Sequence, residues 1–277
     1  MKSIKRVVIA CLFLVTSVSF SLQEEVFEEI WYGALLVTLA QGIELIDHPE
    51  WFSNCKVVAL ISFAFDDGYE SIYSKAFPIF QEYKLPASVF VITGKINKRD
   101  HLTLEQMKEL TQEGWEIASH GVTHTPLTEL TPEKIRYELE TSKITLEKWG
   151  FQVSGFASPF GRYNKEILAQ IQSLYNYHRS SSLGINPLPL FKEGLGSRWE
   201  LYYIEVVNDM QPEEIITQIQ KVNQLGGWAI LTFHKIDQDS WRWTYPEPLL
   251  EKIIRLVRKE FSLCTLEEFR KGKCQPK

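Results

Sequence analysis

The chain has 277 residues, 44% of them hydrophobic and 23% charged, which is the composition of a globular protein long enough for one large domain or two small ones. Its formal net charge is −5, from 35 acidic and 30 basic residues. That balance argues against a polyanionic partner, so nucleic-acid binding is not expected.

The first 21 residues read as a secretory signal peptide: Lys2, Lys5 and Arg6 make a basic start, Val7 to Val18 is apolar, and Ser19-Phe20-Ser21 approximates a small-x-small cleavage site. Cleavage there leaves 27 basic against 35 acidic residues in an exported protein, periplasmic or extracellular. The imperfect cleavage site keeps an uncleaved anchor, and with it membrane association through this segment, as the alternative. Residues 22–55 form an N-terminal extension. Its apolar stretch, Ile30 to Leu45, reads as a helix rather than a second span, because Gln41, Gly42 and Glu44 interrupt it and acidic residues flank it. Of the later cysteines, Cys55, Cys264 and Cys274 allow one disulfide with one thiol left over, and none has the paired spacing of a zinc site.

From residue 56 to 277 strand and helix patterns alternate with no low-complexity linker, which predicts a single domain. Predicted strands are Val57 to Phe65, Ala87 to Thr93, Trp115 to Ser119, Val153 to Ser158, Leu201 to Val207 and Trp228 to Phe233, each rich in branched or aromatic residues. Predicted helices carry their own punctuation. Thr103 with Gln106 forms a capping box and Gly114 a stop; Thr131 and Pro132 open a helix that ends at Gly150; Pro212 opens another, closed by Gly226 and Gly227. Such alternation implies parallel strands in an α/β layer or barrel.

The chemistry-bearing residues fall at predicted strand ends, the rim where βα barrels gather catalytic groups. Phe63-Ala64-Phe65 stops on Asp66-Asp67-Gly68. Two adjacent carboxylates at a buried strand end repel each other unless a cation or a proton intervenes, so one is expected to bind a metal and the other to act as a base. Two imidazoles four residues apart, His120 and His124, suit chelation of one divalent ion, leaving positions open for water and substrate. His234, after the apolar run Trp228 to Phe233, can protonate a leaving amine near neutral pH.

These residues resemble the NodB-homology polysaccharide deacetylases, the family-four carbohydrate esterases, over Val57 to Phe269. The motifs are Ala64-Phe65-Asp66-Asp67-Gly68, then His120-Gly121-Val122-Thr123-His124 with glycine where the family has a hydroxyl residue, then Leu231-Thr232-Phe233-His234. The resemblance implies an irregular (β/α) barrel of roughly seven parallel strands and a hydrolase that removes N-acetyl groups from an N-acetylhexosamine polymer: poly-N-acetylglucosamine, peptidoglycan or chitin-like. It assigns Asp66 as general base and His234 as general acid. Asp67, His120 and His124 become ligands of a divalent metal, zinc first, with cobalt, nickel or iron as alternatives. Ser158-Pro159-Phe160-Gly161 looks like the family's oxyanion loop, with the Phe160 N–H as donor; Pro159, Gly161 and Leu231 complete the substrate side. Ala157 stands at the family's arginine position, a departure that resembles the poly-N-acetylglucosamine deacetylase branch. Arg198 is the candidate to replace that charge, and Trp241, Trp243 and Tyr245 are candidates for a sugar-stacking wall. Competing readings are a small-molecule amidase, an O-acetyl esterase on the same site, and a non-catalytic carbohydrate-binding envelope protein.

Overall fold

The computed structural model describes residues 60–180, 186–187, 198–224 and 227–274. The expected signal segment, the extension over 22–55 and Cys55 lie outside the described residues. Among the described residues no helix is long and apolar enough to cross a membrane.

The strands are β1 (Leu60–Phe65), β2 (Ser88–Val91), β3 (Glu116–Ser119), β4 (Gly155–Ala157), β5 (Tyr177–Arg179), β6 (Asn186–Pro187), β7 (Ile204–Glu205), β8 (Gly227–Phe233), β9 (Lys235–Ile236), β10 (Thr244–Tyr245) and β11 (Ser262–Leu263). The main sheet runs β5-β4-β3-β2-β1-β8, all parallel. Its two ends then approach each other: β7 pairs parallel with β8, and Leu201, just before β7, bridges Arg179 of β5. Backbone bonds from Ser180 N to Leu201 O (2.9 Å) and from Leu201 N to His178 O (3.0 Å) complete the turn of the barrel. The expected irregular parallel barrel is therefore present, closed through the Leu201–Glu205 segment and irregular because β8 also takes the antiparallel β6 at its start.

Alternation along the strands sorts the core into two layers. Ile61, Phe63 and Phe65 of β1, with Ala229, Leu231 and Phe233 of β8, pack with helix residues such as Phe80, Leu110, Leu139, Ile171, Ile215 and Ile253. The intervening positions Leu60, Ala64, Phe90, Ala118, Ala157, Tyr177, Trp228 and Ile230 form a smaller cluster enclosed by the strands. The alanines among them, Ala64, Ala118 and Ala157, make room inside a narrow barrel for the bulky Phe90, Tyr177 and Trp228.

Helix boundaries follow the predicted punctuation closely. Thr103 and Gln106 form a reciprocal capping box before Leu104–Gln112, and Gly114 and Gly150 take positive φ at the two stops. Thr131 has the N-cap backbone but makes no side-chain capping bond. Five strands, β5, β6, β9, β10 and β11, and four helices, Phe77–Tyr83, Lys165–Leu174, Glu247–Val257 and Leu266–Arg270, went unmarked by the sequence patterns. Of the pairings that the three later cysteines allow, Cys264 and Cys274 form a disulfide, ten residues apart in sequence.

Candidate active site

In β1, β3, β5 and β8 the inward-facing series ends in a functional group at the carboxyl rim. Two residues beyond Ala64 stands Asp66, beyond Ala118 His120, beyond Tyr177 Arg179 and beyond Thr232 His234. The period-two rule that fills the barrel thus also assembles the site. Asp67 departs from it: its backbone is left-handed (φ 68°), a conformation Asp tolerates better than most residues, and its carboxylate turns to the histidines instead.

Asp67 Oδ1 lies 3.3 Å from His124 Nε2 and 3.6 Å from His120 Nε2, and one ligand atom from each of the three residues falls within 4.8 Å of the others. His120 Nδ1 donates to Ala157 O at 2.8 Å, since a carbonyl can only accept, so in the neutral ring Nε2 presents a lone pair to Asp67. Burial holds His120 neutral, its pKa down to about 3, and lowers His124 as well. The His120 contact is accordingly lone pair against lone pair. The Asp67 carboxyl is pushed up to about 7 by burial and by the Asp66 charge, and its Oδ1 is buried with no hydrogen-bond donor. Two imidazole nitrogens and a carboxylate oxygen short of positive charge are a donor set that fits one divalent ion with open positions.

Asp66 is the opposite case. Burial alone would raise its pKa, but the Arg179 guanidinium outweighs that and holds the carboxyl below the usual range. Arg179 Nη2 donates to Asp66 Oδ2 at 2.6 Å, with both side chains buried. The arginine is sandwiched between the rings of Phe90 and Tyr203, 5.0 and 4.4 Å from their centroids. Arg179 sits in register with Ala157 on the neighbouring strand, so the small residue at 157 opens the space that Arg179 fills. Arg198 does not: it is exposed and lays its guanidinium over Trp199, while its carbonyl accepts from His178 N. The expected compensation for Ala157 exists, but from β5 rather than from residue 198.

His234 Nε2 lies 4.0 Å from Asp66 Oδ2, and burial lowers its pKa against the opposing pull of Asp66. Trp241 and Trp243 stand beside it, ring centroids 6.4 and 6.3 Å away, with Tyr69 edge-on to Trp241. Trp243 Nε1 donates to Glu205 at 3.0 Å, and Trp241 is 39% exposed. Tyr245 does not join this wall: it is wholly buried and donates to Met210 O. Nor does Leu231 reach a ligand, because its place in the alternation sends it into the helix-facing core.

The loop after β4 arrives from the other side. Pro159 is buried, and Phe160 and Gly161 both have left-handed backbones (φ 58° and 65°). The Phe160 ring is 62% exposed and stands 4.6 Å from the His124 ring. Ser158 anchors the loop by donating to His178 Nε2 at 2.8 Å, while His178 Nδ1 donates to Trp199 O.

Comparison with known proteins agrees with this geometry. A family model described as polysaccharide deacetylase matches residues 53–178. YxkH of Bacillus subtilis is 41% identical over 105 residues, 38% of each chain, so this chain spans about two fifths of that relative's length. A poly-β-1,6-N-acetyl-D-glucosamine N-deacetylase of Staphylococcus aureus is 39% identical over 62 residues, 20% of this chain and 21% of that one. The Streptococcus pyogenes deacetylase PplD, solved with acetate, superposes with a TM-score of 0.51 at 31% identity over 57% of this chain and 69% of that one. On a likeness of that extent, with the strand-end residues in the order the motifs require, the chain belongs to the polysaccharide deacetylase family.

Proposed function

We propose that the protein is a metal-dependent N-deacetylase acting on an N-acetylhexosamine polysaccharide of the cell envelope, with poly-N-acetylglucosamine, peptidoglycan and chitin-like chains as the candidate polymers. One observation carries the reading: a three-donor metal site stands against a second aspartate that an arginine keeps ionised. A bound divalent ion, zinc by preference with cobalt, nickel or iron also suited to these donors, supplies Lewis acidity at the acetyl carbonyl and eases ionisation of water. Asp67, His120 and His124 would hold it.

The remaining steps belong to the side chains. Arg179 occupies Asp66 Oδ2, which leaves the buried Oδ1 without a hydrogen bond and therefore as the oxygen free to take a proton from the attacking water. As the amide C–N bond breaks, His234 delivers a proton to the departing nitrogen, giving acetate and a free amine. The Phe160 N–H, presented by its left-handed turn, is assigned to the oxyanion. Phe160 on one side and Trp241 with Trp243 on the other offer flat apolar faces to the sugar rings. Export is supported by the basic-then-apolar start of the sequence and by the disulfide, which belongs to an oxidising compartment.

Acetate release from a panel of these polymers, with O-acetyl esters and small amides alongside, tests the reading. Chelator-sensitive release from at least one N-acetylated polymer is expected. Hydrolysis confined to O-acetyl esters or to small amides would replace it with the corresponding enzyme, and a purified protein that binds no metal would replace it with the non-catalytic alternative.

A further inference from the structure

The loop joining the two histidines is held from both sides, and one holder is a buried carboxylate that the proposed chemistry leaves unused. On one side Thr93 N and Gly94 N donate to the carbonyls of Gly121 and Val122, each at 3.0 Å. On the other, Glu138, 3% exposed, accepts from Val122 N at 2.6 Å, from Thr123 N at 3.0 Å and from Thr123 Oγ1 at 2.6 Å. Three donors converge on one carboxylate, which is how a charge can be kept buried at tolerable cost.

The helix that supplies Glu138 is distorted in a way that makes this possible. Residues Tyr137–Thr141 are π-helical, and the wider turn lets Glu138 and Leu139, adjacent in sequence, both face inward. The hydroxyls of Ser142 and Tyr175 donate to the carbonyls of Glu138 and Leu139, at 2.6 and 2.8 Å, supplying partners where the regular ladder is broken. Glu138 also explains the glycine in the histidine motif. A Cβ on Gly121 would stand 2.8 Å from Glu138 Oε2, and Gly121 has φ +82° besides. Glycine at 121 and the carboxylate at 138 are one device.

Resting on the reading of Asp67, His120 and His124 as metal ligands, we propose that Glu138 is a positioning residue for the divalent ion. By taking the amides of Val122 and Thr123 it fixes the turn that gives His124 its left-handed backbone (φ 64°) and so sets the spacing of the two imidazoles. His120 has its ring fixed separately by Ala157 O; His124 has no such hydrogen bond to its ring among those the structure shows, and is held by the loop backbone and by the Phe160 ring packed 4.6 Å away.

Cobalt(II) titration of the full chain, followed by its d–d absorption, is the test, because it reads ligand geometry as well as affinity and needs no turnover. In Glu138→Gln, which keeps the shape and removes the charge, affinity should fall about 10- to 100-fold, the usual effect of losing a group that orients a ligand, and the absorption band should change. The Val122 and Thr123 amides should lose hydrogen-exchange protection in the same protein. If Glu138→Gln fails to fold, Thr123→Val removes a single bond to the carboxylate and should weaken cobalt about 2- to 10-fold. A folded Glu138→Gln with parental affinity and spectrum overturns the proposal while leaving the metal site standing, as does a parental Thr123→Val where only that variant folds. His124→Ala separates the two readings: if it binds cobalt like the parent, the metal site itself is wrong and this inference falls with it.

Discussion

Asp67, His120 and His124 come from two short segments whose backbones are pinned by neighbours: the turn after β1, and a loop clamped by Thr93, Gly94 and Glu138. Asp66, Arg179 and His234 meet only because the barrel curls round, and the pair at its centre, Asp66 and Arg179, is separated by 113 residues. The first half is left short of positive charge, with Asp67 pushed up to about 7; the second half is supplied with it, through a buried guanidinium. Adjacent carboxylates thus receive opposite treatment, which is what the proposed division of labour requires: one to bind an ion and the other to accept a proton.

Removing the ligands should break the first half outright. Asp67→Ala, His120→Ala and His124→Ala are each expected to lower activity by about 10³-fold or more, given the several kcal/mol that a metal supplies to developing charge, and to lose metal in parallel when metal content is measured. Asp66→Asn should cost about 10²- to 10⁴-fold in kcat, the typical range for a general base, yet retain full metal occupancy. Metal loss from Asp66→Asn would erase the division between the halves.

Arg179 sharpens the comparison further. Its removal leaves a buried carboxylate without its partner, so Arg179→Met should destabilise the fold by about 3–5 kcal/mol. The sign of the pH effect follows from the lowered pKa of Asp66: a base held ionised to low pH loses that support, its pKa rises, and the acidic limb of the kcat/KM profile should move up by about one to three units. In the parent, the stability that this pair contributes is present above the ordinary carboxylate range and is lost as pH falls through the lowered value. Arg198→Met should change stability by less than about 0.5 kcal/mol and leave the profile in place; a shifted acidic limb there would return the supporting role to residue 198.

The same comparison explains what could be read from the chain beforehand. Asp66-Asp67-Gly68 and His120 with His124 are local, so their meaning survives in sequence order, and His234 follows a strand that announces itself by seven consecutive buried residues. Arg179 carries no such signal. Its strand is only three residues long, with a charged residue at its end, and its relation to Ala157 is a register between neighbouring strands that no linear pattern records. Glu138 was hidden for another reason: the regular helical period marks Ile135, Leu139 and Leu146 as the buried face, and the π-turn breaks that period to admit one residue more. The barrel itself was legible because parallel strands with short helical crossovers leave few alternatives, and its closing segment was marked as the strand Leu201 to Val207, although the regular strand there shrinks to Ile204–Glu205 with an isolated bridge at Leu201.

The smallest effect is expected at the rim that belongs to neither half. Trp241 is 39% exposed and packs edge-on to Tyr69 and close to Trp243, so one of its faces is supported while part of it remains open to solvent. A ring held that way has already lost its rotamer freedom and can stack on a sugar without further ordering cost. Trp241→Ala should therefore raise KM for a polymer about 2- to 10-fold, from roughly 0.5–1.5 kcal/mol of aromatic contact, with kcat and metal affinity unchanged, because the contact is equally present in ground and transition states. Short N-acetylated oligosaccharides that do not reach the ring should show no difference between variant and parent. A fall in kcat with KM unchanged would instead mean that Trp241 acts through His234, whose ring lies 6.4 Å away, and would move it from the rim into the proton-handling half.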